Sequence, residues 1–254
     1  MKHQWNPDQY LKFADARLRP AVDLLQRIDA AEPKTVYDLG CGPGNVTALL
    51  ARRWPAAAVT GVDGSAAMLA KARAEHPGLG WVEADLAAWA PAKPADVIFS
   101  NATLHWLPDH AALFPRLLKC VRPGGVLAVQ MPRNWSEPSH ACMREAAGPW
   151  LRKLDNVLPG VPVGPPAHYY DILAGHAAAL DIWETVYLQV MEGDNPVAEW
   201  TKGSALKPVL DALDENERAD YFAAYSALVG KAYPKGADGK TPFPFRRLFI
   251  VARA

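Results

Sequence analysis

The sequence of 254 residues predicts an α/β protein with a doubly wound, mostly parallel sheet of seven strands. Two observations support this prediction. Short apolar segments typical of buried strands alternate with helical patterns from Thr35 to Met131. A glycine cluster at residues 40–44 directly follows the first of these segments. Because strands that alternate with helices are joined by right-handed crossovers, they form a parallel sheet that helices cover on both faces.

The elements of the first half follow from apolar spacing and from turn residues. We expect strands at Thr35–Leu39, Ala58–Val62, Trp81–Ala84, Asp96–Ser100 and Val126–Met131. Asn45 is expected to cap the helix after the first strand, with Val46, Leu49, Leu50 and Trp54 on one face, and Ser65 the helix after the second. A proline in mid-helix costs about 3 kcal/mol, so Pro115 is expected to begin a helix.

The second half has a weaker pattern and predicts a helical cap. We expect a helix near Ser139–Leu154, a loop rich in proline and glycine at Leu158–Pro166, and helices over about 195–233. Strands are expected at Asp181–Leu188 and Arg247–Ala252. Because no clear linker separates the halves, we expect a single domain, residues 1–254, with cap or insert elements at about 134–180 and 195–233.

Charge and cysteine content argue against several classes of protein. Lys+Arg and Asp+Glu number 27 each, whereas a broad nucleic-acid or anionic-membrane surface needs clustered Lys and Arg. The three cysteines form neither a disulfide framework nor a CxxC metal site. The N-terminus lacks a signal-peptide core, and no apolar stretch is long enough to span a bilayer. We therefore expect a cytoplasmic protein with no metal and no nucleic-acid, membrane or obligate protein partner.

The acids around the glycine loop indicate a nucleoside ligand without a diphosphate. A dinucleotide site has the pattern G-x-G-x-x-G, but Asn45 stands at the third glycine position. Asp38, at the end of the first strand, would repel a pyrophosphate and suits a cationic ligand. Asp63 ends the second strand, where a carboxylate can accept both hydroxyls of a ribose. S-adenosylmethionine, which carries a sulfonium, an amino group and an adenosine, meets these requirements.

Three successive motifs resemble those of the class I S-adenosylmethionine-dependent methyltransferases. They are VYDLGCGPG at residues 36–44, GVD at 61–63 and EADL at 83–86, within a cofactor-binding core of about 30–132. The resemblance implies the Rossmann-like fold of that family, with an antiparallel last strand. The cofactor contacts that it implies are Asp38, Gly40, Gly42 and Gly44 in and before the loop, Asp63 at the ribose, Asp85 and Leu86 at the adenine, and Asn101 beneath the methionine end.

Longer strings, from one end of the chain to the other, resemble the trans-aconitate 2-methyltransferase family. They lie at residues 5–13, 17–21, 101–110, 127–132, 169–173, 181–183 and 247–253, while residues 151–166 match less clearly. The resemblance implies methyl transfer from S-adenosylmethionine to a carboxylate of trans-aconitate. The products would be a monomethyl ester and S-adenosylhomocysteine, and the substrate a small polycarboxylate.

A carboxylate acceptor asks for little catalytic machinery. Its pKa is about 4, so it is ionised at neutral pH and needs no general base; we predict no catalytic side chain. The protein must hold the oxygen about 3 Å from the methyl group and exclude water. An adenine acceptor usually comes with an Asn/Asp-Pro-Pro-Tyr/Phe string, which residues 101–104 lack.

A tricarboxylate also needs cations and hydrogen-bond donors for its other arms. Candidates lie in the N-terminal helix, after the fourth and fifth strands, after the proline loop and before the last strand: Tyr10, Arg17, His105, Trp106, Arg133, His168, Tyr169, Tyr170 and Arg246. By contrast, Arg52, Arg53 and Arg116 are expected to be surface charges on helices.

Three alternatives stay open. The first is a class I methyltransferase that acts on another small acid or alcohol. The second is a protein that binds S-adenosylmethionine without turnover, for sensing or scaffolding. The third is a NAD-linked oxidoreductase, which Asn45 and Asp38 disfavour.

Overall fold

The structure, a computed structural model, describes the backbone of residues 14–254 and the side chains of residues 18–254. Two short 3-10 turns, Leu104–Trp106 and Gly148–Trp150, accompany its helices and strands. In chain order, the elements are α1 (Ala14–Gln26), β1 (Thr35–Leu39), α2 (Asn45–Arg53), β2 (Ala58–Asp63), α3 (Ala66–Glu75), β3 (Gly80–Glu83), β4 (Ala95–Asn101), α4 (His110–Lys119), β5 (Val121–Pro132), α5 (Pro138–Ala146), α6 (Leu151–Leu154), α7 (Pro166–Leu173), β6 (Ala179–Met191), α8 (Pro196–Lys202), α9 (Lys207–Asp211), α10 (Glu215–Ala232) and β7 (Thr241–Arg253).

The seven strands form one sheet in the order β3-β2-β1-β4-β5-β7-β6. The pairs β1–β2, β2–β3, β1–β4 and β4–β5 are parallel, whereas β5 and β7 are antiparallel. The winding reverses direction between β1 and β4, which places a topological switch point at the carboxyl ends of these strands. The predicted doubly wound, mostly parallel sheet with an antiparallel last strand is confirmed.

The central strands are buried because neighbouring layers cover both of their faces. In β4, all six residues from Ala95 to Ser100 are buried. A strand of this kind reads as a continuous apolar run, and this is why the sequence located it. β1 has the predicted bounds, β3 lies one residue earlier than predicted, and the other predicted strands extend by one to six residues at one or both ends.

The prediction that Pro115 begins a helix is wrong. Helix α4 begins at His110, because the Asp109 carboxylate caps it by accepting the Ala112 N–H at 3.1 Å. Pro115 therefore lies inside the helix, where it removes the N–H that would reach the carbonyl of the exposed Ala111. Burial of Leu113, Phe114, Leu117 and Leu118 on the apolar face stabilises the helix despite the lost bond.

Two further expectations for helices need correction, and a third is confirmed. Gly44, with a left-handed φ of 91°, occupies the cap position of α2, so Asn45 is the first helical residue rather than the cap. The predicted helix from Ser139 to Leu154 is broken after Ala146, at Gly148 and Pro149. Ser65 caps α3 as predicted, and its hydroxyl accepts the Met68 N–H.

The apolar face predicted for α2 is also partly wrong. Thr47, Ala48 and Leu50 are its buried residues, whereas Val46 and Leu49 are half-buried. Trp54, just beyond the helix, is buried as predicted.

The chain groups into two compact units. The first holds the described residues through Pro132, together with Gly164–Thr185 and Arg247–Ala254. The second holds Arg133–Val163 and Val186–Arg246. The region expected to form a cap at 134–180 is thus divided, with α7 in the first unit. The single-domain organisation stays a prediction.

The second unit has a core of its own, built on α5 and α10. The rings of Tyr221 and Tyr225 on α10 stack with an interplanar angle of 3°. The Tyr221 hydroxyl donates to the Met143 carbonyl at 2.9 Å, and the Tyr225 hydroxyl donates to the Ser139 carbonyl at 2.8 Å. These bonds satisfy the buried hydroxyls and tie the two helices together.

Among the helices from residue 14 onward, none has the length and apolar character needed to cross a membrane.

Candidate functional site

The loop between β1 and α2 depends on glycines whose backbone is left-handed. Gly40, Gly42 and Gly44 have φ values of 74°, 53° and 91°. At Gly40, a Cβ atom would lie 2.1 Å from Oγ1 and Cγ2 of Thr103, so this loop packs directly against the segment after β4. The Thr103 hydroxyl also donates to the Gly40 carbonyl at 3.2 Å. The glycines are therefore needed both for the turn and for the close approach of two chain segments.

Asp63, the last residue of β2, holds the other side of this loop. One carboxylate oxygen accepts the Gly42 N–H at 2.9 Å, and the other accepts the Ser65 N–H at 2.8 Å. Each oxygen keeps a second lone pair that a ligand hydroxyl can use. Asp63 thus orders the loop and remains able to bind a ligand.

A cavity of about 280 Å³ lies beyond the carboxyl ends of β1 to β4. Its volume is close to the lower end of the range for small-molecule sites. Five of the predicted cofactor-binding residues line this cavity: Gly40, Gly42, Asp63, Asp85 and Leu86. The structure therefore brings together residues that lie 46 positions apart in the sequence, at the switch point where α/β sheets bind ligands.

The other three predicted cofactor residues lie close by but do not line the cavity. Asp38 is 1% exposed and accepts the Thr47 hydroxyl at 2.7 Å. At Gly44, a Cβ would lie 2.5 Å from the Trp81 ring, which makes this glycine a packing requirement. Asn101 ends β4, and its Oδ1 is buried with no hydrogen-bond partner among the described residues.

Asp38 is the electrostatically unusual group of this region. Burial raises the pKa of its carboxyl group to about 7, the Thr47 hydrogen bond opposes this increase, and the charge of Asp63 adds to it. A buried carboxylate beside a second acid creates a negative potential beneath the loop. Such a potential favours a cationic ligand.

The segment after β4 forms one wall of the cavity. Its first residue, Ala102, has a φ of 53°, and its N–H donates to the Gln130 carbonyl at 2.9 Å. Trp106, which is 47% exposed, lines the cavity, whereas the neighbouring His105 is buried. Of these two candidate substrate residues, the structure therefore brings Trp106 to the cavity.

The remaining candidate substrate residues belong to both compact units. In the first unit, α7 carries His168, Tyr169 and Tyr170, of which Tyr169 is fully buried and the other two are exposed. In the second unit, the Arg246 carbonyl accepts the Arg133 N–H at 3.0 Å, and the Arg246 guanidinium lies 3.4 Å from Glu137. Tyr10 and the side chain of Arg17 lie outside the described residues.

Arg116 was expected to be a surface charge, and this prediction is wrong. Its guanidinium is partly buried and donates to the carbonyls of Leu86, at 3.0 Å, and Trp89. Because Leu86 lines the cavity, Arg116 fixes part of the cavity wall. Arg52 and Arg53 are exposed, as predicted.

Sequence reasoning also missed a buried polar pair in the first unit. Gln130 is fully buried on β5, and its Oε1 lies 3.5 Å from Nη1 of Arg247, which is 5% exposed. The signal that could have found Arg247 is the alternation of the last strand, where Phe243 and Phe245 occupy every second position before it.

In residues 14–254, no cluster of three or more His, Cys, Asp or Glu side chains could hold a metal ion.

Gly40→Ala should reduce stability by about 2–4 kcal/mol, because the new Cβ meets Thr103 and the backbone is left-handed. The free energy of unfolding in urea, followed by circular dichroism, measures this loss. Gly42→Ala is the matched control, since its φ is also positive but nothing lies within 4 Å of its Cβ. Equal losses in the two variants would contradict a steric role for Thr103.

Asp38→Asn should stabilise the ligand-free protein at pH 8 by about 1–3 kcal/mol, because it removes a buried charge and keeps an acceptor for Thr47. The raised pKa means that the folded state binds this proton more tightly than the unfolded state. The stabilisation of the wild type by the proton is therefore complete below about pH 4 and lost as the pH rises through about 7.

Thermal unfolding of the wild type and Asp38→Asn from pH 4 to pH 8 tests this expectation. The advantage of the variant should grow with pH across that window. The exposed Asp220→Asn is the control, and its stability should follow that of the wild type. An advantage that does not change with pH would show that the Asp38 carboxyl group does not titrate as described.

Known proteins resemble this chain at two levels. Among solved structures, phosphoethanolamine N-methyltransferase 2 of Haemonchus contortus, in complex with phosphomonomethylethanolamine and S-adenosylhomocysteine, matches with a TM-score of 0.57. It is 16% identical, and the match covers 92% of this chain and 52% of that one, so the likeness concerns the fold. The family described as a methyltransferase domain matches residues 36–125.

Curated relatives match nearly the whole chain. Trans-aconitate 2-methyltransferase of Azoarcus sp. (strain BH72) is 55% identical over 248 residues, which cover 98% of each chain. The protein of the same name from Rhodopseudomonas palustris (strain BisB18) is 49% identical over 257 residues, again 98% of each. At this identity and coverage, with the expected sheet and glycine loop in place, the chain belongs to the trans-aconitate 2-methyltransferase family.

Proposed function

We propose that this protein transfers the methyl group of S-adenosylmethionine to a carboxylate oxygen of trans-aconitate. The products are a monomethyl ester and S-adenosylhomocysteine. The observation that carries the proposal is the 55% identity, over 98% of both chains, to a relative named for this reaction. A solved neighbour in complex with S-adenosylhomocysteine supports the choice of cofactor.

The residues of the cavity fit this cofactor. The second lone pairs of Asp63 suit the two ribose hydroxyls, and Asp85 and Leu86 suit the adenine. Gly40 and Gly42 leave their backbone open to the methionine moiety, since neither carries a side chain. The other three predicted cofactor residues act less directly: Gly44 shapes the loop, Asp38 supplies negative potential, and Asn101 offers a buried oxygen.

The reaction places modest demands on the side chains. When bound, S-adenosylmethionine supplies an electrophilic methyl group on a sulfonium. The acid is already ionised at neutral pH, so no side chain has to remove a proton. The protein contributes orientation and exclusion of water, and the apolar wall formed by Trp106 and Leu107 serves the second task.

The other arms of the acid need partners, which we assign by proposal. Trp106, His168 and Tyr170 are exposed in the first unit and can meet a ligand without rearrangement. His105 and Tyr169 are buried there, so we assign them a supporting role rather than direct contact with the acid. The contacts assigned from the sequence alone are Tyr10, Arg17, Arg133 and Arg246.

Incubation with methyl-labelled S-adenosylmethionine and trans-aconitate tests the reaction. We expect a labelled ester that is stable in acid and that alkali cleaves to volatile labelled methanol. Citrate and cis-aconitate serve as comparison acids. Label on another acid or an alcohol, with trans-aconitate inactive, would assign a different acceptor, and tight cofactor binding without any product would indicate a binding protein.

Asp63→Asn should weaken S-adenosylhomocysteine binding by about 1–3 kcal/mol, because charge-assisted hydrogen bonds to the ribose are lost. Calorimetry measures the Kd. Glu83→Gln is the matched control: it removes the same charge at the register position opposite Asp63, on β3. A variant at Asp63 that binds as tightly as Glu83→Gln would show that the ribose assignment is wrong.

A further inference from the structure

The cavity wall after β4 is a strained piece of chain. We call residues 102–109 the wall segment. Both of its ends, Ala102 and Asp109, have positive φ values, 53° and 52°, without being glycine. Such conformations persist only where surrounding contacts hold them. Because Trp106 and Leu107 of this segment line the cavity, whatever holds the wall segment also sets the shape of the cavity.

Contacts hold the wall segment at both ends. At its start, the Ala102 N–H donates to the Gln130 carbonyl, and the Thr103 hydroxyl donates to the Gly40 carbonyl. Near its end, Nε2 of His110 lies 3.0 Å from the carbonyl oxygen of Leu104. His110 is therefore bonded to the 3-10 turn, Leu104–Trp106, that presents Trp106 to the cavity.

The bonds of His110 define its tautomer. A carbonyl oxygen can only accept, so Nε2 must carry the proton that it donates to Leu104. Nδ1 is then an acceptor, and the Tyr169 hydroxyl, 2.7 Å away, donates to it. Burial lowers the pKa of His110 and the neighbouring His168 adds to this decrease, while the Leu104 and Leu107 backbone and the charge of Asp109 oppose it without reversing it. The imidazole is therefore neutral at physiological pH.

Tyr169 carries this connection to helix α7. Its ring is fully buried, with ring centroids 5.7 Å from His110 and 5.0 Å from Phe114. Its neighbours in the sequence, His168 and Tyr170, are exposed. A chain of two hydrogen bonds thus runs from the helix that presents these two side chains to the backbone of the cavity wall.

We propose that His110 is a positioning residue that couples acid binding at α7 to cofactor binding at the wall segment. This inference rests on the proposed function, because it takes His168 and Tyr170 as acid-binding side chains. An acid held by these side chains orders α7, and the Tyr169–His110–Leu104 bonds then stabilise the wall around the cofactor. Coupling of this kind is reciprocal, so each ligand must tighten the binding of the other by the same factor.

Tyr169→Phe tests the coupling because it removes one hydroxyl and keeps the ring. Calorimetry gives the Kd of S-adenosylhomocysteine with and without saturating trans-aconitate. In the wild type, we expect the acid to tighten this binding by roughly fivefold or more. In Tyr169→Phe, binding without acid should stay within about twofold of the wild type, and the enhancement by the acid should disappear.

The same thermodynamic cycle distinguishes coupling from direct contact. If Tyr169 acts through His110, Tyr169→Phe weakens acid binding only when S-adenosylhomocysteine is present. Weaker acid binding to the ligand-free variant as well would overturn the proposal in favour of direct contact. An enhancement that is absent in the wild type, or that survives in Tyr169→Phe, would also overturn it.

Two variants of His110 separate the two bonds of the imidazole. His110→Gln keeps a donor near Nε2 for the Leu104 carbonyl, and His110→Asn keeps an acceptor near Nδ1 for the Tyr169 hydroxyl. In the absence of trans-aconitate, we expect His110→Gln to bind S-adenosylhomocysteine as the wild type does and His110→Asn to bind it more weakly. In neither variant should trans-aconitate tighten this binding. Full coupling in either variant would contradict the proposed relay.

Tyr225→Phe controls for simple loss of stability. It also removes a buried tyrosine hydroxyl, one that bonds Ser139 in the second unit, and it should keep the coupling. Urea unfolding of every variant shows which of them fold. If the His110 variants do not fold, Tyr169→Phe alone still tests the coupling. These experiments measure binding only. If trans-aconitate binds but no ester forms, the proposed function is wrong, while the coupling can still be measured and confirmed.

Discussion

The close approach of Gly40 and Thr103 is the constraint on which the candidate site depends. The first loop and the wall segment meet where a Cβ at residue 40 would overlap the threonine side chain, and the threonine hydroxyl bonds the glycine carbonyl across this contact. On its other side, the loop is held by the Asp63 carboxylate through the Gly42 N–H. The ends of β1, β2 and β4 are thereby joined, and the cavity that they enclose follows from this junction.

Electrostatics add a second constraint, which the neutral formal charge of the whole chain conceals. Asp38 is buried behind the loop with Thr47 as hydrogen-bond donor, and the charge of Asp63 disfavours its ionisation further. A fold selected for stability alone would not bury an acid in this way. The arrangement is understandable if a cationic ligand approaches this region, as the family membership of the chain leads us to propose.

The wrong predictions for Pro115 and Arg116 have one cause: tertiary contacts outweighed local preferences. Pro115 was assigned to a helix start because a mid-helix proline is unfavourable, but the Asp109 cap and the buried face of α4 determine where the helix begins. Arg116 reads as a solvated charge on that helix, yet it bonds the carbonyls of Leu86 and Trp89, about thirty residues earlier in the chain. The pattern of residues within α4 does not predict that Arg116 bonds these two carbonyls.

The sequence by itself determined the succession of strands and helices along the first half of the chain, the glycine loop, the Ser65 cap and the acids at the strand ends. These features depend on residues a few positions apart, through apolar periodicity, backbone preference and local hydrogen bonds. Only the tertiary structure decided that Arg247 is buried beside Gln130, and that Tyr169 bonds a histidine 59 residues away. Such pairs depend on which distant segments the sheet brings together, and burial then makes each polar group bond whatever partner lies within reach.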